Sequence, residues 1–321
     1  QIIVMSYPEI GNYGINDFDF ESDGCYIAGL IVKSYSKQES HYKSKETLSS
    51  YLKRNNVVAL ENVDTRTLVK KLTEFGSMSG FITSNDVDSE FIREKLEQIQ
   101  MFKIKEDVLL DVSPKSRYIF NPQGKNNIAF IDYGTKKSTL TKLAKKDCRL
   151  TVYPANIEAK EILENDYDAV FLSSGPGNPN NYTFQIAQIR QMMGKIPIFG
   201  ISLGCELLAL ASGASVTRLI HGHRGGSYPV INLENNKVMM TSQNHGYAID
   251  GDNMTKFMRP TYKNLNDNTI EGFEITSLSV YAVQFDPEGA PGSNDGSIIF
   301  DEWINITQRD INRINEVKNE R

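Results

Sequence analysis

The chain has 321 residues, a formal net charge of -5 and 40% hydrophobic residues, enough for two domains that each bury a core. The acidic balance argues against a nucleic-acid-binding face, short basic pairs such as Lys136-Lys137 are expected to lie in solvent, and no apolar run reaches the roughly 18 residues of a membrane-spanning helix. Three widely spaced cysteines without a CxxC pair, and no recognisable secretory signal, favour a reducing, cytoplasmic location and predict neither disulfides nor a zinc site.

The first part of the chain mixes short strands with amphipathic helices. Apolar runs predict strands over 2–5, 27–32 and 57–60, and helical spacing of apolar residues predicts helices over 46–55, 65–75 and 90–98. This mixture indicates a small α/β domain.

A seam rich in proline and glycine follows this part. Residues 111–127 contain Ser113-Pro114, Asn121-Pro122 and Gln123-Gly124 and few periodic apolar positions. Because proline and glycine interrupt regular structure, the domain boundary is predicted near residue 123, with domains over 1–122 and 123–321.

The second part alternates regularly between strands and helices. Strands are predicted over 128–132, 150–153, 169–172 and 196–201, and helices over 136–145, 159–164, 183–193 and 204–212. This alternation predicts a doubly wound α/β domain with a parallel sheet. Such sheets bind ligands beyond the carboxyl ends of their strands, where the informative residues of this chain lie.

The strongest local signal is the pentapeptide Gly200–Gly204, which reads G-x-S-x-G between a strand and a helix. In a nucleophile elbow a sharp turn presents the central side chain, here Ser202, and the following helix start offers free N–H groups to an oxyanion. A plain strand-to-helix turn would use the same small residues, so the pentapeptide alone leaves both interpretations open.

Three further segments follow predicted strands or form their ends. Ser173–Pro179 is a glycine- and proline-rich loop, Ser242–Tyr247 contains a histidine, and the alternating strand Val280–Glu288 ends in two carboxylates. Taken singly, they indicate a turn, a structural histidine and a solvated strand end.

Taken together and in this order, the four segments resemble class I glutamine amidotransferases. The class pattern is a glycine loop S-G-P-G-x-P, an elbow G-x-C-x-G and a late H-P-E, and residues 174–179, 200–204 and 286–288 stand in those places. The chain is similar in particular to the small subunit of carbamoyl phosphate synthetase, and the resemblance covers essentially the whole chain. Its further motifs are Ser242–Gly246, Pro287–Gly292, Tyr7-Pro8, Gly11–Gly14, Ser50–Leu52 and Val63–Arg66.

The resemblance implies a catalytic Cys at position 202, a His base at 286 and an orienting Glu at 288, but this chain has Ser202, Asp286 and Glu288. A serine hydroxyl needs an adjacent general base, and an aspartate with a reference pKa of about 3.9 is a poor one at neutral pH. The glutaminase activity is therefore expected to be lost or weakened.

The resemblance also implies a glutamine-binding set and an oxyanion site formed by backbone groups of Gly175 and Leu203. The implied glutamine contacts are Gly175, Gly177, Leu203, Glu206, Asn244, Gly246 and Tyr247. Glu206 stands where the family has Gln, and as a carboxylate it would accept hydrogen bonds but donate none.

The family role is to hydrolyse L-glutamine and pass ammonia to a large subunit, for arginine and pyrimidine synthesis. ATP and its divalent ion are expected in that partner, and neither metal nor organic cofactor is expected in this chain. The resemblance further implies about fifty residues before Gln1, so the N-terminal domain is expected to be truncated.

Several alternatives remain open from the sequence. Cys205 could be a relocated nucleophile, or His245 could be recruited as a base for Ser202. The chain could be a serine hydrolase that draws its base from its four histidines, His41, His221, His223 and His245. It could also be a non-catalytic regulatory subunit, scaffold or ligand sensor.

Overall fold

The computed structural model describes residues 1–101 and 108–319. By its contacts the chain divides into two compact units, residues 1–104 and 105–321. The predicted domain boundary near residue 123 stays a prediction, but residues 118–120 pair with a strand of the second unit. No helix in the described ranges is long and apolar enough to cross a membrane.

The first unit is built on small parallel sheets. Its strands are β1 (Ile2–Val4), β2 (Glu9–Ile10), β3 (Gly29–Ile31), β4 (Ser34–Tyr35) and β5 (Val58–Leu60), and its helices are α1 (Leu48–Arg54), α2 (Thr65–Phe75) and α3 (Ser89–Met101). One parallel sheet has the order β1-β3-β5, and β2 pairs with β4. Its small core consists of Leu30, Val32, Leu52 and Val57, which lie in or next to the predicted strands and helix.

The second unit is organised around one ten-stranded sheet. Its helices are α4 (Leu109–Val112), α5 (Lys137–Lys145), α6 (Ala159–Leu163), α7 (Thr183–Met192), α8 (Leu203–Ala211) and α9 (Ile298–Asn319). Its strands are β6 (Tyr118–Phe120), β7 (Asn126–Asp132), β8 (Cys148–Pro154), β9 (Ala169–Leu172), β10 (Ile198–Ile201), β11 (Val216–Asn232), β12 (Val238–Ile249), β13 (Arg259–Asn264), β14 (Ile270–Ile275) and β15 (Val280–Val283). The order is β12-β11-β13-β14-β15-β10-β9-β7-β8-β6.

The sheet has a parallel centre and antiparallel edges. Strands β15, β10, β9, β7 and β8 are parallel, whereas β14 runs antiparallel to β15 and β6 antiparallel to β8. Successive residues of a strand face opposite sides, so Ala129 and Ile131 pack in one core and Ile128 and Phe130 in the other. Helices α6, α7 and α8 contribute to the first core, and α5 and α9 to the second. The predicted doubly wound α/β domain is thereby confirmed.

Candidate active site

The four sequence segments meet at the carboxyl ends of the central parallel strands. The glycine loop follows β9, Ser202 follows β10, and Asp286 and Glu288 follow β15. Backbone hydrogen bonds join the segments, from Gly204 N–H to Ser173 O (3.1 Å), from Ser202 N–H to Val283 O (2.9 Å) and from Asp286 N–H to Ser242 O (2.8 Å). The structure thus brings together all four segments that the sequence singled out.

The turn at Ser202 has the geometry of a nucleophile elbow. Ser202 has φ 49° and ψ -112°, a left-handed conformation that is strained for a residue with a side chain, and it directly precedes α8. A Cβ on Gly204 would lie 2.4 Å from the carbonyl oxygen of Leu172, so only glycine fits there. Tight packing of α8 against β9 therefore forces this turn.

The predicted oxyanion donors, the backbone amides of Gly175 and Leu203, belong to two neighbouring segments, and their role stays a prediction. Gly175 lies against Leu203, because a Cβ on Gly175 would come within 2.8 Å of the Leu203 side chain. Within the described ranges neither Gly175 N–H nor Leu203 N–H donates to another residue. Leu203 begins α8 and Gly175 lies in the loop after β9, so one free amide at a helix start and one in the loop are predicted to stabilise a developing oxyanion.

The base position has become a buried ion cluster. Lys136 Nζ lies 2.7 Å from Asp286 Oδ2 and 2.7 Å from Glu288 Oε1, and both acids are buried. Lys136 directly precedes α5. The expectation that this lysine lies on a solvated face is wrong, because β7 ends beside β9 and brings α5 to the same edge of the sheet. That position after a parallel strand was the signal by which it could have been found.

The acid at position 286 is more basic than its reference value suggests. Burial and the neighbouring charge of Glu288 raise the pKa of Asp286 to about 7, and Lys136 opposes this rise only in part. Basicity alone would therefore suit proton transfer at neutral pH. In the described part of the chain, however, no hydrogen bond joins Ser202 Oγ to Asp286, so the nucleophile–base contact is missing.

Glu206 also differs from the expectation. Burial raises the pKa of Glu206 to about 8, so the side chain is a neutral carboxylic acid at pH 7. Gln284 Nε2 donates to its Oε1 at 2.9 Å. A neutral acid has an O–H donor and a carbonyl acceptor, so the expectation that this residue can only accept hydrogen bonds does not hold.

The remaining glutamine-binding candidates lie on two elements. Gly175 and Gly177 belong to the loop after β9, whereas Asn244, Gly246 and Tyr247 lie on β12. Gly177 has φ 97°, and a Cβ there would clash with the Tyr182 hydroxyl. These assignments stay predictions.

The alternative nucleophile and bases have no support in the geometry. Cys205 is buried in the core, and burial raises the pKa of its thiol well above the usual value, so it forms little thiolate. The ring nitrogens of His245 face Tyr247 O at 2.7 Å and Gln243 Oε1 at 3.2 Å. No histidine of the described residues is hydrogen-bonded to Ser202, as a serine hydrolase would require.

Comparisons with known proteins agree with the sequence motifs. The family model for glutamine amidotransferase class-I matches residues 129–306, and the model for the carbamoyl-phosphate synthase small chain, CPSase domain, matches residues 1–82.

Curated relatives match along most of their length. The carbamoyl phosphate synthase small chain of Pectobacterium atrosepticum is 39% identical over 96% of this chain and 85% of its own. The small chain of Caldanaerobacter subterraneus is 41% identical over 95% of this chain and 83% of its own. The pyrimidine-specific small chain of Bacillus subtilis is 38% identical over 96% and 83%, respectively.

Among solved structures, a candidate GMP synthase protein from Thermoplasma acidophilum superposes with a TM-score of 0.51 at 22% identity. The match covers 58% of this chain and 97% of that one. At this level of identity the match concerns the fold alone.

Proposed function

Because the chain belongs to the family of carbamoyl phosphate synthase small chains, we propose that it is a small subunit whose own glutaminase step is lost or strongly weakened. The observation that carries the proposal is the Lys136–Asp286–Glu288 cluster at the base position, together with a Ser202 hydroxyl that contacts no base among the described residues. The name shared by its relatives supports the subunit role, and the geometry supports the loss of chemistry.

The reaction fails at proton transfer in this proposal. Attack on the glutamine amide needs a base that removes the Ser202 proton and then protonates the departing ammonia. Asp286, which stands at the base position, instead accepts a hydrogen bond from Lys136 through its Oδ2. Losing nucleophile and base as a unit lowers kcat by on the order of 10⁶.

The binding half of the site is retained in this proposal. The elbow, the free amides of Gly175 and Leu203 and the neutral acid of Glu206 offer donors and acceptors that suit an amide side chain. We therefore propose that L-glutamine binds with little turnover, in a pocket that also includes Gly177, Asn244, Gly246 and Tyr247.

The partner is a carbamoyl phosphate synthase large subunit in this proposal. ATP and its divalent ion belong to that partner, and the complex runs on free ammonia while this chain has a structural or regulatory role. The three cysteines are free thiols, which is consistent with a cytoplasmic location.

The test is glutamate release from glutamine by the purified chain together with a large subunit. We expect no release by the wild type and measurable release by the double variant Ser202→Cys, Asp286→His. The control is Ser202→Ala, Asp286→His, which has the imidazole but no nucleophile. Ammonia-dependent carbamoyl phosphate formation should be the same in all three.

Two results would count against the proposal. Clear, Ser202-dependent release by the wild type would show that the serine works without an imidazole. Failure of the chain to bind any large subunit would remove the subunit role.

A further inference from the structure

A second buried cluster, on the antiparallel part of the sheet, has no part in the proposed function. His223 on β11 is the direct cross-strand partner of His245 on β12, and Glu271 lies on β14. All three side chains are buried, and one potential ligand atom of each lies within 4.8 Å of the others. Two imidazoles and a carboxylate are a frequent ligand set for zinc.

The hydrogen bonds of His245 orient the ring so that the lone pair of Nε2 points toward the cluster. Its Nδ1 lies 2.7 Å from Tyr247 O, which can only accept, so Nδ1 carries the hydrogen. In a neutral ring that donates from Nδ1, Nε2 has no hydrogen and offers its lone pair. That Nε2 lies 3.2 Å from Gln243 Oε1, which is also an acceptor.

His223 has the hydrogen-bonding pattern of a metal-bound histidine. Its Nε2 lies 2.7 Å from Asp267 Oδ2, and a carboxylate at the outer nitrogen orients ligating imidazoles in many metal sites. Its Nδ1 faces inward, 2.7 Å from Gln243 Oε1 and 3.4 Å from Glu271 Oε1.

Oxygen atoms complete the inward-facing set. Gln243 Nε2 donates to Thr241 Oγ1 at 3.2 Å, which leaves Gln243 Oε1 facing both rings. Glu271 Oε1 accepts from Asn264 Nδ2 at 3.1 Å, whereas the buried Oε2 has no hydrogen-bond partner among the described residues. A buried carboxylate oxygen without a partner is costly, and a nearby cation would remove that cost.

We propose that a divalent transition-metal ion, preferentially Zn²⁺, is bound by His223 Nδ1, His245 Nε2 and Glu271. Gln243 Oε1 would be the fourth ligand. Bonds of roughly 2.0–2.2 Å to four tetrahedral ligands place the ligand atoms about 3.4 Å apart. Ligand atoms that lie up to 4.8 Å apart would therefore move closer, whereas His223 Nδ1 and Gln243 Oε1, now 2.7 Å apart, would separate slightly. The proposal departs from the sequence-based expectation that this chain holds no metal.

The competing arrangement is a proton in place of the ion. In that arrangement His223 carries a hydrogen on each ring nitrogen and donates from Nε2 to Asp267 Oδ2. A protonated His223 could donate to Gln243 Oε1, but the contact between His245 Nε2 and Gln243 Oε1 would remain between two acceptors. A cation satisfies both contacts at once.

A bound ion would also stiffen the strand that carries predicted glutamine contacts. His245 lies between Asn244 and Gly246 on β12, and the ion would join this strand to β11 and β14. The ion is thus expected to have a positioning role beside the pocket rather than a role in bond breaking.

The test begins with the tag-free wild-type chain, freed of metal and titrated with Co²⁺. We expect one equivalent to bind with the visible absorption bands of a four-coordinate Co²⁺ site, and Zn²⁺ to displace it. Thermal unfolding should shift upward with Zn²⁺, because an ion that binds only the folded chain stabilises it. Absence of stoichiometric binding to the folded wild type would overturn the proposal without any variant.

Variants then locate the ion. His223→Ala and Glu271→Gln should each weaken Zn²⁺ binding about 100-fold or more, and Asp267→Asn about 10- to 100-fold through the outer nitrogen. The matched control is His221→Ala, an exposed histidine on the same strand, which should leave binding unchanged. Equal affinity in the wild type and in folded His223→Ala would also overturn the proposal. Neither readout depends on glutaminase activity.

Discussion

The nucleophile end and the base end of the candidate site depart from the family pattern in different ways. At the elbow only the side chain differs, and the strained backbone of Ser202 and the close packing of Gly204 persist. At the base end Asp286 stands in place of the imidazole and Lys136 is ion-paired with both Asp286 and the retained Glu288, whose Oε2 has no hydrogen-bond partner among the described residues. The elbow is fixed by packing that the fold needs in any case, whereas an imidazole serves proton transfer alone.

The base end should be the more sensitive of the two to loss of one group. Lys136→Met leaves two buried carboxylates without a counter-charge, and we expect a loss of about 3–5 kcal/mol in the free energy of unfolding at pH 8. The loss should shrink at pH 5, because the pKa of Asp286 is raised to about 7 and this side chain is then protonated. Urea unfolding at both pH values measures it.

The control for this variant is Lys137→Met, which removes an exposed lysine one residue away. Adding Asp286→Asn to Lys136→Met should restore part of the stability. Equally small effects of both lysine variants would show that the cluster does not depend on its cation.

At the elbow, the backbone rather than the side chain should be critical. In Gly204→Ala the new Cβ meets the Leu172 backbone carbonyl, which cannot move without disturbing β9, so we expect a loss of about 3 kcal/mol. Thermal or urea unfolding measures it. Gly80→Ala is the control, since a Cβ there has no neighbour within 4 Å. A Gly204→Ala variant as stable as the wild type would mean that packing does not fix the turn.

At the elbow end, the stability of the fold should also depend on pH through Glu206, which lies on α8 just after the elbow. The folded-state pKa of Glu206, about 8, is above its ordinary value of 4.5, so the fold binds the extra proton and stability falls as pH rises from the lower of these values through the higher. Glu206→Gln should remove this fall. We expect it to be more stable than the wild type at pH 9 by about 2–3 kcal/mol, less than the full pKa shift implies because water relieves part of the penalty.

Urea unfolding at pH 6 and pH 9 tests this expectation. Glu97→Gln, an exposed acid on α3, is the control and should follow the wild-type pH profile. A wild-type stability that is flat between pH 6 and pH 9 would contradict the assignment of a neutral Glu206.

The smallest effect is expected at Cys205, which belongs to the core beneath the elbow. Cys205→Ala removes one buried sulfur, and we expect a loss of about 1 kcal/mol. The native thiol should resist iodoacetamide, whereas the partly exposed Cys25 should react. Glutamate release by the double variant Ser202→Cys, Asp286→His should be unchanged on adding Cys205→Ala. Rapid native alkylation of Cys205 would reopen it as a nucleophile.

Much of the parallel sheet could be predicted from the sequence, and little of the antiparallel extension. The helix over 65–75 and the strand over 169–172 have the predicted bounds, because apolar spacing and flanking loops define them. The strand predicted over 280–288 ends at Val283, since Asp286 pairs with Ser242 instead. Strand β11 lacks a regular alternation of apolar and polar residues from which a strand could be predicted. It contains several glycines, and its pairing with β12 has two register shifts.

The sequence by itself determined the family, the doubly wound fold and the positions of the elbow and the two carboxylates, because these depend on local spacing and motif order. Only the tertiary structure decided the surroundings of those residues: Lys136 is ion-paired with both acids, burial raises the pKa of Glu206 to about 8, and Ser202 has no base among the described residues. It also decided that His223, His245 and Glu271 converge. Charge state and hydrogen bonding depend on burial and on neighbours distant in the chain, and a linear pattern contains neither.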